Sequence, residues 1–212
     1  MTRRRLPTND VMALISRQKQ PNNGLHIHGF VAFDPLRQAI HEKLKRPDDQ
    51  SPLAIAQRAV EEKGFIGIKL YPPMGFRATD NALLGNAFPC SVRFGRGSPG
   101  VGAACAGRTN NEEGLGNEPG KALDDVLMKL FAWCATNNVP ILSHTRNSFG
   151  TYGPAEGFAK RASPEYWEKA LRSFPNLRVN MAHFGNFDNA FDGTQVRMDW
   201  IDKTWEYLIG NI

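Results

Sequence analysis

Four short apolar runs alternate with helical stretches along this chain, and that alternation narrows the folds open to it. The runs are Leu25 to Phe33, Phe65 to Tyr71, Val139 to His144 and Leu177 to His183. Their length and their Ile, Val, Leu and Phe content suit strands of a buried parallel sheet. Between them lie segments with helical spacing. Pro52 to Lys63 stops at Gly64, a residue that readily ends a helix. Ala122 to Asn137 places Leu123, Val126, Leu127, Leu130, Phe131 and Cys134 on one face. Pro164 to Ser173 follows Ser163, an N-cap residue with proline in the first helical position. A last amphipathic segment carries Trp200, Ile201, Trp205 and Leu208. Strand, helix, strand repeated in this way predicts βα units with right-handed crossovers, hence an α/β fold in one domain over residues 1–212.

Composition excludes several classes. The hydrophobic fraction is 41%, with 13 Phe, enough for a buried core. No run approaches the roughly 18 apolar residues of a membrane span. The segment Met1 to Pro7 is basic but lacks the apolar stretch of a signal peptide. The three cysteines, Cys90, Cys105 and Cys134, have no metal-finger spacing and suggest no disulfide framework, so the cytoplasm is the expected compartment. The net charge of +5 comes from scattered residues rather than a basic stripe with interleaved aromatics. Nucleic acid is therefore not an expected partner. A small-molecule substrate is, and the mild positive potential would favour an anionic one.

The chemistry-bearing residues gather where the runs end. His144 closes the third run and His183 the fourth, and each is followed by polar or Gly-containing sequence. On parallel strands, two such imidazoles point at the carboxyl rim, where α/β folds place their sites. A histidine pair there can hold a divalent metal; each residue alone would read equally as a strand cap. Lys69, near the end of the second run, must either meet a charge or contact an anionic substrate. Arg146 and Ser148 lie just past His144 and can bind a substrate carboxylate or cap a loop. Asp34 ends the first run and faces the same choice between rim and turn.

His26 and His28 also look like a metal motif, because residues two apart share a strand face. They precede their apolar run, however, so they are expected on the amino-terminal rim, away from His144, in a structural role. From Thr79 to Gly120 the chain is rich in Gly and Asn. This reads as a long, poorly ordered loop, either a flexible insertion or a lid over the strand ends.

Three segments taken in order, Gly64 to Pro73, Val139 to Thr145 and Asn176 to Gly185, resemble the amidohydrolase superfamily. The nearest branch is the amidohydrolase-related (amidohydrolase 2) group of metal-dependent hydrolases. The resemblance spans residues 25–190 and implies a TIM-type (β/α)8 barrel with one or two divalent metals, usually zinc. It implies hydrolysis of amide or ester bonds in small molecules; some members decarboxylate or hydrate small carboxylic acids. By this likeness His144 and His183 match the metal histidines of the fifth and sixth strands. The family's first-strand His-x-His and its aspartate after the eighth strand have no counterpart in place. Asp188, Asp192, Asp199 and Asp202 come too early for the latter. With four clear strands against eight, the chain reads as a partial barrel, incomplete at both ends. Two expectations follow. Either it is a hydrolase of this family, or it is an inactive remnant or interaction protein with negligible turnover, whose open sheet edges would invite self-association.

Overall fold

The computed structural model describes residues 28–85, 87–88, 90–94, 114–116, 118–146, 158–185 and 202. Residues Leu25 to Ile27 of the first run, the centre of the Gly-rich segment and, Asp202 apart, the Trp200–Leu208 segment lie outside the described residues.

Four parallel strands form one sheet in the order β1-β2-β3-β4: β1 (Phe30–Ala32), β2 (Gly67–Leu70), β3 (Ile141–His144) and β4 (Val179–Ala182). Sequential strands lie side by side, as in consecutive βα units of a TIM-type barrel. Each strand is shorter than its apolar run. Pairing begins just before the strands, where Ile66 N donates to Gly29 O and Ile141 N to Arg178 O. It ends just after them, where Phe33 N donates to Lys69 O.

The pleat divides the strand residues into two rows. Val31, Ile68, Leu70, Ile141 and Met181 are buried and join one core. The long helix Pro119–Thr136 adds Leu123, Val126, Leu127, Leu130, Phe131 and Cys134 to it, the six residues its spacing had put on one face. Ala32, Lys69, Leu142 and Asn180 form the opposite row, in which Ala32 and Asn180 are exposed.

Helices α1 (Pro35–Lys43) and α2 (Pro52–Glu61) share one start signal. Asp34 Oδ1 accepts from Leu36 N at 3.0 Å and Arg37 N at 3.2 Å, and Ser51 Oγ accepts from Ala54 N at 3.0 Å. Each cap is followed by proline, whose missing N–H costs nothing at the first helical position. Buried Gln38 ties the two helices by accepting from Leu53 N at 2.8 Å. Helix α3 (Cys90–Phe94) is short, α4 is the long Pro119–Thr136 helix, and α5 covers Glu168–Ser173. Ser163 makes no capping bond, contrary to expectation, and Pro164–Trp167 forms a 3-10 turn ahead of α5.

The Gly-rich segment is not disordered where it is described. Asp124 on α4 accepts from Asn81 N and Asn81 Nδ2 at 2.9 Å each, and from Ala82 N at 3.0 Å. This fixes the turn Asn81–Leu84 against α4. Phe88, Cys90, Val92 and Arg93 are buried. At these flanks one carboxylate and a few large side chains anchor the chain; the Gly-rich centre, on which the expectation of poor order chiefly falls, lies outside the described residues. Cys90 is disulfide-bonded, which departs from the expectation of unlinked cysteines. Cys134 is a free thiol, pushed up to about 12 by burial. Among the described residues no helix is long and apolar enough to cross a membrane.

Gly67 allows β2 to approach its neighbours. A Cβ there would fall on the Pro140 carbonyl oxygen and lie 2.6 Å from Cε1 of Phe30. Gly67→Ala should therefore destabilise the sheet by about 1–3 kcal/mol. At roughly 2–4 °C per kcal/mol for a chain of this size, calorimetry should resolve the fall. An unchanged melting temperature would mean the strands pack less closely than described.

Candidate metal centre

The carboxyl rim of β2, β3 and β4 carries three rings in a row. His144 is the last residue of β3 and pairs in register with Ala182. Tyr71, one residue past β2, lies with its ring centroid 4.6 Å from that of His144, tilted by 59°. His183, one residue past β4, has its centroid 4.7 Å from His144 at 69°, edge to face. The two histidines predicted to share a rim thus lie in ring contact.

Local backbone geometry explains how His183 gets there. In the pleat, Ala182 stands in the row with His144, so an extended His183 would point to the opposite, helix-covered face. Instead His183 has φ 68° and Phe184 φ 43°, both left-handed. The strand ends in a tight turn over His183–Gly185 that carries the imidazole toward His144. Two successive left-handed residues other than glycine each cost about 1–3 kcal/mol, a strain that tends to occur at functional sites.

Burial sets the charge state of His144. His144 is buried, at 8% exposure, and its pKa is lowered to about 4. Burial is the main cause, followed by the charges of His183 and Lys69. The backbone of Arg146 opposes the shift, while its charge adds to it. At neutral pH the His144 imidazole is therefore uncharged, with a lone pair to offer. Lys69 is half-buried in the row beside Leu142, and burial lowers its pKa. Among the described residues no carboxylate pairs with it. Arg146 is half-buried just beyond His144. Ser148 lies outside the described residues.

His28 is exposed and precedes β1, on the amino-terminal rim, opposite the His144 pair. His26 lies outside the described residues. Asp34 does stand past the end of β1, but its carboxylate serves as the cap of α1. Burial raises its pKa, against the bonds and charge of Arg37. Two rim residues escaped the sequence reading. Tyr71 meets His144 only through the register of β2 on β3. Thr145 is fully buried, and both its amide and its hydroxyl donate to Ala182 O, at 3.2 and 2.6 Å. Thr145 meets Ala182 only through the register of β3 on β4.

Two imidazoles bound at about 2.0–2.1 Å to a common zinc ion would place their rings about 5 Å apart, close to the spacing seen. The ring spacing suits two ligands of one divalent ion, one short of the three protein ligands of a catalytic zinc. Among the described residues no group of three or more His, Cys, Asp or Glu side chains converges on one point.

A family model described as Amidohydrolase matches residues 43–208, most of the chain, including Lys69, His144 and His183. The chain therefore belongs to the amidohydrolase family. No curated protein and no solved structure matches it.

The lowered pKa of His144 has a consequence for stability. Between about pH 6.5 and 4 the unfolded chain binds a proton at this position that the folded chain refuses. Stability from this group is thus complete above pH 6.5 and is lost as the pH falls toward 4. In the metal-free protein, NMR titration of the His144 ring should show a midpoint near 4. The acid-side loss of stability should shrink in His144→Ala. A midpoint near 6.5 would mean the ring is solvated.

Proposed function

We propose that this member of the amidohydrolase family is a metal-dependent hydrolase of small anionic molecules, acting on an amide, ester or related bond. The observation that carries the reading is the His144–His183 ring pair, with centroids 4.7 Å apart. The two histidines would hold one divalent cation, zinc by the resemblance. Bound there, such an ion would polarise a carbonyl and lower the pKa of water toward neutrality.

The chain's own residues supply the rest. Burial keeps His144 neutral and ready to ligate at physiological pH. Lys69 and Arg146 flank the pair with positive charge, and their influence on His144 is direct. They suit a carboxylate on the substrate: Lys69 as a compact charge, Arg146 through paired N–H donors. The Tyr71 ring packs against His144. Catalytic zinc usually has three protein ligands. With two donors among the described residues, binding should be weak and readily reversed by a chelator.

The test pairs turnover with metal content. A panel of small carboxylate-bearing amides and esters should be hydrolysed after zinc is restored to chelator-treated protein. His183→Ala should lower kcat/KM by at least about 100-fold. Lys69→Met should mainly raise KM for the anionic substrates. Hydrolysis that survives both chelation and the loss of His183 would overturn the metal-dependent reading.

A further inference from the structure

We propose that Thr145 is the positioning residue of the histidine pair: its amide and hydroxyl fix the peptide before His183, and so deliver that imidazole to His144. This rests on the metal-site reading for its purpose, but not for its geometry.

Thr145 follows His144 directly, at the point where β3 leaves the sheet. Its N–H donates to Ala182 O at 3.2 Å, continuing the parallel ladder by one step. Its hydroxyl donates to the same oxygen at 2.6 Å. Any residue except proline could supply the first bond, whereas the second needs a hydroxyl on this side chain. Thr145 is fully buried, so water does not compete for that bond. The carbonyl it grips belongs to the peptide that joins Ala182 to His183.

That peptide is where β4 changes hand. Immediately after it, His183 and Phe184 take φ of 68° and 43°. Left to itself, a histidine there would favour extended backbone and point its ring to the opposite side of the sheet. A carbonyl held by two donors cannot rotate freely, and this fixes the peptide plane and the direction in which the N–Cα bond of His183 leaves the strand. Thr145 thus couples the two ligand positions. The residue after one histidine holds the peptide from which the other departs, and the rings meet at 4.7 Å.

The experiment compares wild type, Thr145→Val, Thr145→Ser and His183→Ala by two readouts. The first is Zn2+ affinity by calorimetry. The second is ring-to-ring NOE contact between His144 and His183 in the metal-free protein. Thr145→Val keeps the shape and loses the hydroxyl; Thr145→Ser keeps it. The expected result is Zn2+ binding weakened about 10–100-fold in Thr145→Val, the range for residues that support metal ligands. Ring contact should be lost with it, and both should return in Thr145→Ser. Ring contact and affinity like wild type in a folded Thr145→Val would overturn the proposal. If wild type and His183→Ala bind Zn2+ equally, the metal reading fails, and the NOE comparison still decides the role of Thr145. If Thr145→Val does not fold, the wild-type hydroxyl proton decides. Slow exchange with an NOE to Ala182 or His183 supports the proposal, and a freely exchanging hydroxyl overturns it.

Discussion

The parallel register of β3 on β4 is the constraint on which the rest of the site depends. Ile141 pairs with Val179, Ser143 with Met181 and His144 with Ala182. A slip of one residue would turn every side chain of β4 to the other face. That slip is opposed by the buried row, where Ile141 and Met181 sit in the same core as Ile68 and Leu70. The core thus fixes a register, and the register brings the ends of two strands to the same height. The meeting of side chains at the rim is a by-product of apolar burial a few residues away.

Burial also tunes the groups it positions. The helices cover one face of the sheet, and the opposite row holds Lys69 and His144. Removing these groups from water lowers the pKa of both, and their like charges reinforce the effect on His144. The outcome is a neutral imidazole beside an ammonium without a described carboxylate partner. Such a combination is costly in a purely structural role and useful where an anion or a metal is bound.

Much of this was legible in the sequence. The βα alternation, the apolar face of the long helix and the rim placement of His144 and His183 all follow from short-range pattern. The amino-rim position of His28 follows from its place ahead of the apolar run. Other features depend on partners far away in the chain. Helix α1 opens on Asp34-Pro35, the same start signal as Ser51-Pro52, yet an aspartate before proline at the end of an apolar run reads equally as a rim or turn residue. The turn at Asn81 looked disordered by composition; its order comes from Asp124, 43 positions along. Neither Tyr71 nor Thr145 shows a role until the strands are paired, since each acts across the sheet. The left-handed backbone of His183 has no local signature either, as Gly185 comes two residues too late to mark it.

The central claim is that His144 and His183 form one metal site. Anomalous diffraction at the zinc edge, from crystals of the protein exposed to Zn2+, tests it most directly. The account predicts a single peak at the carboxyl rim, about 2.0–2.1 Å from a nitrogen of each imidazole. Zinc bound elsewhere, or a peak touching only one of the two rings, would contradict it.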